Sequence, residues 1–219
     1  MSSLLSCSSW TGVSTFNGTA RMTFNPLNAS LTVASNAVLD WTSGDVSGAL
    51  TVAAGGTLTI SNGVSLSNFA PGGVLTNNGT VVWAATSGSY LYGYGGSVIY
   101  NAGLWQATAD DSILNANSGT NFFYNTGTFQ KIGGSGATAI GWRMNTTGTI
   151  NTTTGSLTCS SWIGVSTLNG TARMSLSPLN ASLTVASNSV LDWTSGDVSG
   201  ALTCLKKRGF DNIPCIFPC

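Results

Sequence analysis

Asn77-Asn78-Gly79-Thr80-Val81-Val82-Trp83, Asn101-Ala102-Gly103-Leu104-Trp105-Gln106-Ala107 and Asn125-Thr126-Gly127-Thr128-Phe129-Gln130-Lys131 are three versions of one phrase, set 24 residues apart. Each version has an Asn, a spacer, a Gly and then a tetrad whose second member is apolar. Followed outward, a small residue opening such a tetrad stands at Gly18, Ala37, Gly56, Gly79, Gly103, Gly127, Gly148, Gly170 and Ser189. The successive spacings are 19, 19, 23, 24, 24, 21, 22 and 19 residues. A repeat of about 22 residues belongs to a solenoid.

The columns of this alignment carry the physics. The second tetrad position holds Ala20, Leu39, Leu58, Val81, Trp105, Phe129, Ile150, Ala172 and Leu191. All are apolar, as an inward stack requires. The first position is mostly Thr (Thr19, Thr57, Thr80, Thr128, Thr149, Thr171), and neighbouring strand residues face opposite sides, so this column reads as outward. Asn tolerates the left-handed conformation and bonds its own backbone in turns, so Asn77, Asn101 and Asn125 predict an asparagine ladder at a recurring corner. A second short apolar run recurs as Leu31-Thr32-Val33, Leu50-Thr51-Val52, Val74-Leu75, Val98-Ile99-Tyr100 and Phe122-Phe123-Tyr124. The expected fold is therefore all-β, a parallel β-helix (β-solenoid) of about nine rungs of 19–24 residues, roughly 43 Å long at the usual strand spacing. A pair of antiparallel β-sandwiches is the competing fold, and the sustained rung register argues against it.

A longer repeat overlies the short one. Residues 7–51 recur at 159–203, offset by 152, with six differences: Thr11/Ile163, Phe16/Leu168, Thr23/Ser175, Phe24/Leu176, Asn25/Ser177 and Ala37/Ser189. Such identity reads as a tandem duplication, so residues 1–203 are expected to form a single solenoid cut from a longer array. Cys7 is then a repeat residue like Cys159 and not a lipid anchor, since a secretory segment has no place inside the chain. Residues 204–219 break the pattern: they hold three of the five Cys and three of the seven basic residues. Two readings are open, a shifted or truncated reading frame, or a cap that blunts the open end of the solenoid with charge and Pro. Cys204, Cys215 and Cys219 have the means to pair or to bind metal, but no spacing matches a four-ligand zinc motif.

Composition removes whole classes of function. Of 219 residues, 28 are Gly, 30 Ser, 29 Thr and 19 Asn, while charged residues make up 6%. The chain has no His and no Glu, so Ser-His-Asp and Cys-His schemes and His-containing zinc sites are out. Seven basic residues and zero net charge do not make a nucleic-acid footprint. A hydrophobic content of 42% with seven Trp opposes disorder. No run of 18 apolar residues encodes a membrane span, and no cofactor motif occurs.

Trp41-Thr42-Ser43-Gly44-Asp45, Thr76-Asn77-Asn78-Gly79-Thr80-Val81-Val82-Trp83, Tyr124-Asn125-Thr126-Gly127-Thr128-Phe129-Gln130-Lys131 and Met144-Asn145-Thr146-Thr147-Gly148-Thr149-Ile150 together resemble a recurring unit of very large bacterial surface proteins, the adhesin-like and autotransporter-like repeat proteins. The likeness covers about residues 37–158 and, through the duplication, 159–203. It implies a β-helix outside the cell or on its surface, with a structural or adhesive role, and it brings no catalytic residue, cofactor or metal. The partners it implies are cell-surface glycans or other copies of the repeat.

Three groups of side chains are candidates for more specific chemistry. Tyr90, Tyr92 and Tyr94 alternate and so share one side of an extended segment, where an aromatic row would bind sugar rings; inward packing is the alternative. Asp110-Asp111 is the one acidic pair, and paired carboxylates serve glycan hydrolysis when they converge; a solvated loop is the plainer reading. Asp40 and Asp45, repeated as Asp192 and Asp197, fall short of the six to eight oxygens of a calcium site. The Thr column raises an ice-binding array, against which stand Arg21, Asp40, Val82 and Gln106 in the third position. The expected function is thus a non-enzymatic extracellular structural or adhesive solenoid; the alternatives are a β-helix carbohydrate-active enzyme and a glycan- or ice-binding module.

Overall fold

A computed structural model describes residues 4–7, 10–66, 73–84, 90–116, 119–176, 181–205 and 215–216. Among these residues there are 25 strands and no helix, and the paired strands run parallel. Among the described residues no helix is long and apolar enough to cross a membrane. The chain is a parallel β-solenoid with three faces.

The first face carries the tetrads. Thr19–Met22, Val38–Trp41, Thr57–Ile60, Thr80–Trp83, Leu104–Ala107, Thr128–Lys131 and Thr149–Thr152 pair one above another in the register of the sequence columns. Thr171–Met174 and Val190–Trp193 repeat it, so nine tetrads enclose eight turns. The second face holds Val64–Leu66, Tyr90–Gly93, Ser112–Asn115 and the first part of Ala137–Thr146. The third holds Val13–Phe16, Ser30–Val33, Ala49–Val52, Val74–Asn77, Val98–Asn101, Phe122–Asn125 and Arg143–Thr146.

Alternation decides what is inside. Leu39, Leu58, Val81, Trp105, Phe129 and Ile150 are fully buried, as a stack covered above and below must be. Edge-to-face aromatic contacts continue the stack through Trp83, Trp105, Phe123 and Phe129, with centroids 6.1, 5.2 and 6.0 Å apart, in the arrangement favoured by ring quadrupoles. The predicted asparagine ladder is present and buried: Asn77 Nδ2 donates to Asn101 Oδ1 at 2.7 Å, Asn101 Nδ2 to Asn125 Oδ1 at 2.7 Å, and Asn125 Nδ2 to Thr146 Oγ1 at 2.9 Å. The Gly that follows each Asn is required by contact. A Cβ on Gly103 would lie 2.1 Å from Gly79 O, and one on Gly127 2.2 Å from Gly103 O.

Where the second copy of the duplication begins, the ladder slips. The sequence columns place Thr149 opposite Thr171, whereas Thr149 bridges to Asn169. Side chains replace the missing backbone pairing: Asn151 Oδ1 accepts from Thr171 N and Thr152 Oγ1 from Arg173 N. On the third face Val165–Leu168, Ser182–Val185 and Ala201–Cys204 form a separate sheet, joined to Thr146 N through Ser166 Oγ at 3.1 Å. Cys204 is in a disulfide, so pairing, one of the two fates open to it, is the one observed. Most of the tail lies outside the described residues; Cys215–Ile216 pairs in parallel with Leu191 and Asp192.

Candidate functional site

The acidic pair divides instead of converging. Asp110 sits at a corner, where its carboxylate accepts from Lys131 Nζ at 2.7 Å and from Gly136 N at 2.9 Å. The hydrogen bond from Lys131 and that from the Gly136 amide hold its pKa below the usual carboxylate value. Asp111 points inward, is 1% exposed, and both its carboxylate oxygens are buried with no hydrogen-bond partner. Burial pushes its pKa up to about 7, with Lys131 acting against that rise and Asp110 adding to it. One carboxylate faces out and the other in, so they do not frame a common space for a substrate.

Lys131 is the surprise of this corner. It ends a tetrad in the column filled elsewhere by Met22, Trp41, Ile60, Trp83 and Ala107, and it is fully buried. Its ammonium gives all three protons to acceptors: Asp110 Oδ1, Gly133 O at 2.8 Å and Ala109 O at 3.2 Å, the full donor capacity of that group. A buried charge is tolerable only when paired in this way.

Tyr90 and Tyr92 lie on the second face with their rings 5.6 Å apart at 66°, half-buried and alternating with buried Leu91 and Gly93. Tyr94 keeps the same half-buried alternation beyond the strand end, where its backbone exchanges hydrogen bonds with Ser97 Oγ. Asp40 pairs with Arg21 and Asp192 with Arg173, at 3.0 and 3.3 Å, and Ser61 donates to Asp40. Among the described residues no cluster of three or more Asp or Cys side chains has the geometry to hold a metal.

The structure brings together a second group that the sequence reading passed over. Tyr100, Phe122 and Tyr124 stand outward from the third face, with Tyr100 and Tyr124 5.4 Å apart at 11° and Phe122 and Tyr124 5.8 Å apart at 12°. Beside them, at the corner between the second and third faces, is a polar groove of about 330 Å³ lined by Asn115, Thr120, Asn121, Gly141, Arg143 and Ser160, among others. Two coils line the groove. The strand Ala137–Thr146 rounds this corner unbroken, whereas in the coil below Ser112–Asn115 and Phe122–Asn125 are separate strands. Gly141 lets the two coils approach, since a Cβ there would meet Ile113 O at 2.7 Å. Trp142 turns inward beside it, fully buried, with Nε1 donating to Leu114 O at 3.0 Å. The signal for the aromatic group was in the parity: with Ile99 and Phe123 inward, Tyr100, Phe122 and Tyr124 must face out.

Comparison of the chain with protein-family models, with curated proteins and with solved structures finds no match.

Proposed function

We propose that this β-solenoid is a non-enzymatic structural and adhesive rod, displayed outside the cell or on its surface as part of a bacterial repeat protein. The observation that carries the reading is the stacking itself: coils of near-constant register make a rod whose outer faces are rich in hydroxyls, amides and aromatic rings and poor in charge. Such faces suit contact with hydrated glycans or with further copies of the repeat. The likeness of the Trp41, Thr76, Tyr124 and Met144 segments to adhesin-like and autotransporter-like repeats supports the location. The divergence of Asp110 and Asp111 weighs against the carbohydrate-active alternative.

Microspheres coated with the full chain test the adhesive part. Retention on glycan-bearing surfaces under flow should exceed that of spheres coated with an unrelated protein of equal charge, and equal retention would overturn it. Release of reducing ends from a polysaccharide, abolished by Asp110→Asn or Asp111→Asn, would replace the structural reading with an enzymatic one.

A further inference from the structure

Four basic residues fall among those described, and three are paired with a carboxylate: Arg21 with Asp40, Lys131 with Asp110 and Arg173 with Asp192. Arg143 alone has no carboxylate partner among the described residues, and its side chain is exposed. It stands in register with Phe122 of the neighbouring coil, so the free guanidinium adjoins the aromatic group on one side and lines the polar groove on the other. Tyr100 is 47% exposed although its ring stacks on Tyr124.

We propose that Tyr100, Phe122 and Tyr124, with Arg143 and the amides and hydroxyls of the adjoining groove, bind an anionic saccharide. The proposal rests on the glycan-contacting reading above and narrows it to one place and one class of ligand. A pyranose has one face rich in C–H groups, which packs against the electron-rich surface of aromatic rings. Its hydroxyls need partners of both kinds. The Thr120 hydroxyl has both capacities, Ser160 Oγ, which donates to Ile140 O, keeps an acceptor, and exposed Asn115 keeps a second amide proton beside the one given to Gly141 O. Buried Asn121 is spent on Gly96 N, Ser97 N and Asn115 Oδ1 and only holds the wall in place. A carboxylate or sulfate on the sugar meets the planar fork of Arg143, which matches such groups in a bidentate way that a lysine does not. An exposed guanidinium that meets no carboxylate among the described residues is the charge complement of such a ligand. Neutral saccharides would leave it unused.

The test uses the full chain and titration calorimetry with three probes: hexagalacturonate, a heparin-derived hexasaccharide and neutral maltohexaose. At least one anionic probe should bind at least tenfold more tightly than maltohexaose, and whichever does identifies carboxylate or sulfate as the group recognised. Arg143→Gln should weaken that probe roughly tenfold or more, as expected for a lost charged hydrogen bond, and raised salt should weaken it further. Tyr100→Ser with Tyr124→Ser should weaken it as much, while Gln106→Ala, on the first face, should leave it unchanged. Equal binding of maltohexaose, indifference to Arg143→Gln, or no binding of any probe overturns the proposal. Retention of coated microspheres that survives Arg143→Gln would leave the broader adhesive reading standing.

Discussion

The two copies of the duplicated segment have nearly the same sequence and the same local geometry, yet they are buried on opposite sides. Asn36 and Asn188 both have positive φ, 62° and 69°. Trp41 Nε1 donates to Ser43 O, and Trp193 Nε1 to Ser195 O. Trp41, Val46 and Leu50 are fully buried, whereas Trp193, Val198 and Leu202 are half-exposed. On the other side the order reverses, with Leu168 fully buried and its counterpart Phe16 half-exposed. The first copy is covered from above by the coil beginning Thr57, and the second rests on the coil of Arg143–Thr146. Register and turns belong to each coil's own sequence; burial belongs to its neighbours, as in any stack of units.

The largest expected effect breaks this comparison if it fails. Trp41→Ala should cost about 3–5 kcal/mol, the range for a fully buried aromatic residue, and Trp193→Ala no more than about half of that. Urea unfolding followed by circular dichroism checks both, and equal losses would mean that the covering coil does not supply the burial.

The coils between the copies differ from both in carrying a buried carboxylate without a partner. Asp111 binds its proton more tightly folded than unfolded, its pKa standing at about 7. Its contribution to folding stability is therefore greatest below the unfolded value near 4, falls as pH rises from about 4 to about 7, and is level above that. The fall amounts to as much as about 4 kcal/mol at 1.36 kcal/mol per pH unit. Asp110, shifted the other way, adds stability at neutral pH that is lost as acid protonates it. Asp111→Asn should flatten the slope between pH 4 and 7, measured as unfolding midpoints across that range. A slope that persists would move the pH response elsewhere.

How far the sequence reveals all this follows from the same division. The tetrad register and the asparagine ladder were legible because each repeats in a column, and repetition turns a weak local preference into a pattern. The slip at Asn169 was not, because Asn151 and Thr152 repair it with side chains that no column distinguishes. Lys131 was not placed inside, since its burial depends on Gly133 and Ala109 carbonyls meeting it at one corner. The Arg143 groove is lined by residues of successive coils, Asn115, Thr120 and Asn121 from one, Gly141 and Arg143 from the next, and so exists only once they are stacked. The Tyr90 row was legible by parity, and so was the Tyr100 and Tyr124 pair, whose stacking across coils required the register.

The corners sharpen the comparison at a smaller scale. Val52, just past the first copy, is in register with Val33 within it and with Asn77 on the third face, so the ladder column is apolar there and amide in the middle coils. Asn101→Val should cost about 2 kcal/mol, because it leaves the side-chain oxygen of Asn125 without its donor within the core and takes from Asn77 one of the two acceptors of its amide, the other being Leu104 O. Replacing Asn77, Asn101 and Asn125 by Val together should cost less than three times that, since removing both partners of a buried hydrogen bond leaves nothing unsatisfied between them. Additive losses would show that each Asn acts through its own turn and not through the ladder.

The smallest effect is the one most purely local. Asn36 and Asn188 hold left-handed backbone at equivalent turns, and both side chains are exposed, so neither side chain packs into the coil above or below; the bond that Asn36 N gives to Gly55 O of the next coil, at 2.9 Å, is a backbone one that Ala would keep. Asn enters that region more readily than other residues with a Cβ, and Ala would lose the advantage. Asn36→Ala and Asn188→Ala should each cost about 1 kcal/mol, and the two losses should agree within about 0.5 kcal/mol. Agreement here, beside a large difference between Trp41 and Trp193, separates what a coil specifies for itself from what its neighbours lend it. A turn that tolerated Ala in one copy alone would show that stacking reaches into the backbone conformation as well.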